Sequence, residues 1–279
     1  MGRAIVAVAA PGRGPGFWAG APSVARDDDG GYLIGYRVRN GHGVNDQTVV
    51  AHSADGARFT TLVTLDQRHF GAAAVERPAL VRLGDGRWRL YVCCATPGSK
   101  HWWIGALEAR RPDDFARSDV QVVFPGDDRI GVKDPLVRRT ERGWEAWICC
   151  HPLEVPDEED RMSTAYATSD DGISWRWQGT VLSGRRGMWD ERGARLTTIL
   201  PDGRASYDGR RTKEENWFER TGLARRTGMG GALRHEGDEP VAGVRYLEVL
   251  PLAEGGYRIY YEARLSDETH ELRTELITD

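Results

Sequence analysis

Lysine is nearly absent from this 279-residue chain: of 38 basic residues only Lys100, Lys133 and Lys213 are lysines, and the rest are arginine. With abundant Ala, Gly and Asp, that bias points to a high-GC bacterial genome. Long apolar runs are missing too. The longest near the start, Ala4 to Ala10, has only Arg3 before it and runs into the Pro/Gly-rich stretch Pro11 to Gly16. It is too short to span a bilayer and lacks the design of a signal peptide, so a cytoplasmic protein with no membrane partner is expected. Charge of one sign is not clustered, and a net charge of −4 spread along the chain leaves no basic stripe for nucleic acid. Only four cysteines occur, as the vicinal pairs Cys93-Cys94 and Cys149-Cys150. Neighbours in a strand point to opposite faces, so neither pair is expected to close an internal disulfide, in keeping with a reducing compartment. There is no Gly-rich phosphate loop, no Ser-His-Asp arrangement and no metal-ligand spacing among His42, His101 and His151. No metal and no cofactor are expected, and a monomer is the expected state.

What the chain does have is a period. A glycine followed at once, or after one residue, by an aromatic and a β-prone run recurs at Gly31-Tyr32, Gly86-Arg87-Trp88, Gly143-Trp144 and Gly256-Tyr257. The aromatics are spaced by 56, 56 and 113 residues, the last being two periods, and the cysteine pairs repeat at 56. Ser53-Ala54-Asp55-Gly56 through Phe59 matches Ser169-Asp170-Asp171-Gly172 through Trp175, with Phe115 placed 56 after Phe59. Asp-Gly turns and interleaved aromatics of this kind are structural rather than chemical. Each repeat reads as short strands of four to eight residues broken by Asp-Gly, Gly-Gly or Pro-Gly turns, with helical periodicity only around Lys213 to Arg220. The fold class is therefore all-β. Four-stranded repeats of this length are propeller blades, and five of them fill residues 1–279 as a single domain. The last repeat supplies only three strands, from Arg245, Tyr257 and Glu271, so the orphan strand Arg3 to Ala9 is expected to complete that blade and remove an open edge.

A constant period of 56 or 57 places residues 21, 77, 134, 191 and 248 at equivalent points where each blade begins. They read Ala21, Arg77, Asp134, Glu191 and Glu248, with Glu76, Lys133 and Asp190 directly before three of them. Such a ring is costly to bury unless its charges pair or meet a ligand. Two readings follow: ion pairing around a water-filled channel, or a polar substrate pocket, which Lys133 favours because arginine is the rule elsewhere.

Around these residues the chain resembles the five-bladed propeller glycoside hydrolases, which include arabinanases, β-xylosidases, invertases and levansucrases. That resemblance implies a site of three carboxylates. Lys133-Asp134-Pro135 is similar to the motif whose Asp tunes charge and holds substrate, and Glu191 within Trp189-Asp190-Glu191 is similar to the general acid. Where the first-blade base or nucleophile would stand, this sequence has Ala21-Pro22. Glycoside hydrolysis ordinarily uses two carboxylates. Either another acid, Glu76, Asp190 or Glu248, has taken over, or the pocket binds without hydrolysing. A non-hydrolytic enzyme of secondary metabolism is a further alternative.

Other residues complete the expected pocket. Trp18 and Trp189 flank it as aromatic faces for a sugar, Tyr207-Asp208-Gly209-Arg210 borders it, and Arg77, Arg192, Arg195 and Arg245 suit a carboxylate or phosphate. The expectation is a glycoside hydrolase-like protein acting on a small glycoside or sugar derivative, with a small-molecule ligand as its partner.

Overall fold

The computed structural model describes residues 4–41, 46–228, 230–253 and 255–278. After β1 (Ile5–Val8) the chain builds four-stranded antiparallel groups in sequence order. These are β2 (Phe17–Arg26), β3 (Tyr32–Asn40), β4 (Gln47–Ser53) and β5 (Thr60–Asp66), then β6 (Val75–Arg82), β7 (Trp88–Ala95), β8 (Trp102–Ala109) and β9 (Gln121–Phe124). Next come β10 (Ile130–Thr140), β11 (Gly143–Pro152), β12 (Ser163–Ser169) and β13 (Trp175–Ser183), followed by β14 (Ala194–Ile199), β15 (Arg204–Gly209), β16 (Arg220–Arg226) and β17 (Leu233–Glu236). The chain ends on β18 (Arg245–Pro251), β19 (Tyr257–Arg264) and β20 (His270–Ile277). β1 pairs antiparallel with β20, and a single parallel pairing, Trp18 with His270, joins this last group to the first. The first strand and the last three are thus held in one sheet; Arg3, where the orphan strand was expected to begin, lies outside the described residues.

The fold is all-β and propeller-like. Its apolar core lies between consecutive sheets: Leu33, Val50, Leu90 and Leu107 bridge the first and second, and Tyr91, Ile104, Ala146 and Ile148 the second and third. Leu136, Trp147, Leu196 and Tyr207 fill the space between the third and fourth, while Ile34, Val49, Tyr260 and Leu272 join the last to the first. All four cysteines are buried free thiols, small residues that let sheets approach.

The Ser-x-Asp-Gly turns behave alike in both copies. Ser53 Oγ accepts from the Gly56 amide at 2.8 Å and Asp55 Oδ1 from the Ala57 and Arg58 amides at 2.9 Å. Ser169 and Asp171 repeat the pattern at 2.8 Å on Gly172, Ile173 and Ser174. Those amide donors hold Asp55 and Asp171 at about 2. Each turn is then docked by a neighbouring sheet, since Tyr260 donates to Gly56 O and Tyr91 to Gly172 O, both at 2.8 Å.

Among the described residues two short 3-10 helices, Gln67–Phe70 and Pro112–Arg117, accompany the strands. Among the described residues no helix is long and apolar enough to cross a membrane. The expected helical turn at Lys213 to Arg220 is a correction: Trp217 has φ of 76°, which no right-handed helix accommodates, and β16 starts at Arg220.

Gly222 in β16 faces a crowded wall. A Cβ there would sit 2.5 Å from the Tyr207 ring and 2.7 Å from Trp189, two stacked rings with no room to retreat. Gly222→Ala is expected to cost about 2 kcal/mol of stability through overpacking. Urea denaturation measures it, and an unchanged midpoint would show that the rings yield.

Candidate functional site

The first strand of each group, β2, β6, β10, β14 and β18, contributes to both of two openings. One is a cavity of about 450 Å³ that takes Trp18, Glu76, Lys133, Arg195, Arg245 and Tyr246 from these strands. The other, about 190 Å³, takes Ser23, Arg77, Pro135, Thr198 and Glu248 further along the same strands.

A bulge interrupts each of these strands where the two openings meet, between Gly20 and Ser23, Val75 and Pro78, Lys133 and Leu136, Leu196 and Thr198, and Arg245 and Glu248. Bulges re-aim side chains and break the strict alternation of faces. In three strands the residue after the break is left-handed: Ala21 at φ 52°, Asp134 at 49° and Tyr246 at 51°. Asp tolerates this conformation, whereas Ala and Tyr are strained in it.

Matching strands by these bulges corrects the ring expected from a constant period. The equivalent residues are Ala21, Glu76, Asp134, Thr197 and Tyr246. Aligning on proline slipped β6 by one residue, which exchanged the faces of Glu76 and Arg77. The bulge positions 134, 197 and 246 are 63 and then 49 residues apart instead of a constant 57, so positions 191 and 248 fall out of register.

The structure therefore divides the expected site. Glu76, Lys133, Trp18, Arg210 and Arg245 line the larger cavity. Asp134 and Asp208 lie fully buried behind its wall, where Arg195 reaches both, at 3.2 Å and 2.7 Å. Arg77 and Glu248 instead meet at 2.8 Å at the second opening, where Arg77 also donates to Thr197 O at 2.7 Å. Burial pushes Glu248 up to about 7 despite the nearby Arg77. Glu191 and Asp190 do not line the cavity. The Glu191 carboxylate accepts from the Gly187 amide at 2.8 Å and borders an outer groove, while Asp190 is taken up by Tyr207 Oη at 2.7 Å and Arg185 at 3.0 Å. Trp189 stacks on Tyr207 inside the core between the third and fourth sheets, and Arg192 pairs with Glu158 at 3.0 Å.

Three residues that the spacing passed over complete the wall. Glu219, just ahead of β16, accepts from Arg210 at 2.7 Å and lies 2.7 Å from Arg245 Nε. Glu262 joins Arg37 at 2.7 Å, Arg245 at 2.8 Å and His270 at 2.6 Å. Tyr246 lies beneath three guanidinium groups, Arg195 at 3.9 Å, Arg245 at 5.2 Å and Arg37 at 5.5 Å from its ring centre. Each buried arginine of this wall has an acidic partner, and Arg37, Arg195 and Arg245 each reach a carboxylate from another group of strands, which a single-strand pattern cannot reveal.

The carboxylates of the cavity are all committed. Burial alone would raise Glu219, but Arg245, Arg195 and Arg210 outweigh it and hold the group at about 2. Glu76 is opposed by the same burial and is held well below the carboxylate range by Arg37, Arg39 and Lys133. Asp160 is likewise lowered, burial being overcome by Arg192 and Arg210. Tyr246 is driven far above the usual phenol by burial and stays protonated. His151 is pushed down to about 4 by burial and by the charge of Lys133; its Nδ1 donates to Glu159 O at 2.6 Å, leaving Nε2, 3.5 Å from Cys149 Sγ, as an acceptor. At neutral pH the cavity thus offers fixed acceptors and fixed donors, with no carboxylic acid holding a proton. Trp217, exposed and edge-on to Trp18 at 5.3 Å, and Trp102, under Lys133, add aromatic faces.

Among the described residues, the His/Cys/Asp/Glu group close enough to share an ion is Asp27, Asp29 and His52, none of which lines either opening. His42 lies outside the described residues.

No family model matches this sequence, and no curated protein matches it. Solved structures do. A glycosyl hydrolase from Bacteroides ovatus is 14% identical with a TM-score of 0.68, covering all of this chain and 94% of that one. The β-1,2-mannobiose phosphorylase from Listeria innocua, solved with β-1,2-mannobiose, is 12% identical with a TM-score of 0.68 over 94% of this chain and 89% of that one. A glycoside hydrolase at 12% identity reaches 0.71 over 96% and 92%. At such identity the likeness carries the fold alone.

Proposed function

We propose that this chain is a five-bladed β-propeller related to the propeller glycoside hydrolases, and that its larger cavity takes a small glycoside or sugar derivative. One observation carries the reading: the larger of the two openings that the first strands of all five groups form is a cavity of about 450 Å³, walled by ionised acceptors and guanidinium donors and rimmed by tryptophans. Sugar hydroxyls need donors and acceptors at close spacing, and sugar rings stack on indoles; the volume falls in the range of small-ligand sites. Glycoside-active neighbours support the same class.

The state of the carboxylates favours a second reading beside turnover by hydrolysis. Glu76, Glu219 and Asp160 are all lowered, and Glu191 does not line the cavity, so a general acid of the usual kind is not poised there. Binding without hydrolysis, or a non-hydrolytic reaction on the same ligand, fits this better. Disaccharides and aryl glycosides are the test, with ligand-induced melting shifts and released reducing sugar as readouts. Trp217→Ala is expected to weaken sugar binding by roughly tenfold through the lost stacking face, and Glu191→Gln to leave binding and any turnover unchanged. Loss of turnover in Glu191→Gln would return the acid role to Glu191. If no sugar binds at all, the reading is wrong.

A further inference from the structure

All three lysines of the chain line the same cavity, although 35 of its 38 basic residues are arginines found throughout the fold. Lys133 stands in β10 directly before the Asp134 bulge, and its ammonium lies 4.4 Å above the Trp102 ring. It reaches Glu76 and Asp134 only at 4.0 Å each, beyond hydrogen-bonding distance, while those carboxylates are already held by Arg37, Arg39 and Arg195. Its side chain keeps 12% of its surface open, enough to present donors to the cavity. Lys100 and Lys213 stand at the mouth on two different loops, paired with Glu159 at 2.6 Å and Asp157 at 3.0 Å. Both pairs are exposed, so they are weak and easily exchanged for another anion.

The contrast with arginine is chemical. The buried arginines of the wall use their planar forks to tie carboxylates of different sheets together. An ammonium is a compact point charge on a flexible stem, suited to following a ligand. Only Lys133 combines a cavity-facing charge with no hydrogen bond to the protein among the described residues.

From this placement we propose that the ligand carries an acidic group, a carboxylate or a phosphate on the sugar, which Lys133 binds directly while Lys100 and Lys213 draw it in at the mouth. This rests on the sugar reading above and adds the charge of the substrate class. The anion would take the hydrogen bonds that Lys133 lacks and would be relieved of the repulsion from Glu76 by lying on the ammonium side. Lys133 is a binding residue in this account, and no bond is made or broken.

Matched pairs test it by calorimetry on the full chain: galactose against galacturonate, and mannose against mannose 6-phosphate, with inorganic phosphate as a further probe. The acidic member of at least one pair is expected to bind tenfold or more tightly than its neutral partner, and which pair responds tells carboxylate from phosphate. Lys133→Met is expected to bring that acidic sugar down to the affinity of the neutral one, with Lys133→Arg retaining part of the difference; melting curves check that both variants fold. Equal affinity within both pairs, or no effect of Lys133→Met, overturns the acidic ligand while leaving the sugar reading in place. Inorganic phosphate binding as tightly as the sugar phosphate would also overturn it, since the anion would then be a separate ligand. Failure of every sugar to bind removes the sugar reading itself.

Discussion

Arg195→Met is expected to lower the free energy of unfolding by about 3 to 5 kcal/mol, the range for breaking a buried ion pair from one side. Arg195 is almost fully buried and is the joint between three sheets: it reaches Asp134 of β10, Asp208 of β15 and the ring of Tyr246 in β18. Methionine fills much of the same volume, so the loss is electrostatic rather than a cavity. Asp134 would keep Lys133 at 4.0 Å, the Tyr246 hydroxyl at 3.4 Å and the weak Cys93 thiol donor at 3.8 Å, and Asp208 the Tyr246 amide at 2.9 Å. Two buried carboxylates would then take up protons or unfold the site. Arg195→Lys separates the causes, because one ammonium keeps the charge without spanning both acids. Equilibrium unfolding in urea measures both variants. A loss below about 1 kcal/mol for Arg195→Met would mean that the network contributes little beyond packing.

The second large effect belongs to Glu248, and its sign is opposite to that of most acids in the chain. Its folded pKa of about 7 lies above the ordinary carboxylate value of 4.5, burial outweighing Arg77 at 2.8 Å and Arg138. The folded state therefore keeps the proton longer than the unfolded one. Its contribution is fully present below about 4.5 and is lost as pH rises toward 7, amounting to roughly 3 kcal/mol in total. Glu248→Gln, which mimics the protonated form, should match the parent protein near pH 4.5 and be more stable at pH 8. The comparison is the difference between two melting curves at each pH, so that other titrating groups cancel. A difference that is flat between pH 5 and 8, or one that favours the parent at pH 8, would show that Arg77 stabilises the ionised form after all.

The strand pattern, turns and period were legible because they are local. Gly31-Tyr32, Gly86 and Gly256 mark real strand starts, and the Ser-x-Asp-Gly turns satisfy their own amides within a few residues. Trp18, Glu76, Lys133, Arg210 and Arg245, expected around the pocket from position or resemblance, line the larger cavity. Glu191 does not, since a constant period assumes equally spaced bulges, and the bulge of β14 departs from it. Glu219 and Glu262 carry no motif; they matter because folding brings arginines of other sheets against them.

The amino-acid pattern alone specifies an all-β chain of repeating strands and turns, since alternation of apolar residues and the chemistry of Asp-Gly act over a few residues. It also determined the scarcity of lysine. Which side of each first strand faces the cavity is settled only in the tertiary fold, because a one-residue bulge reverses faces and its position depends on the partner strand. The gathering of three lysines, 33 and 80 residues apart in the chain, around one cavity was decided there as well, by the closing of sheets that bring distant loops to a common mouth.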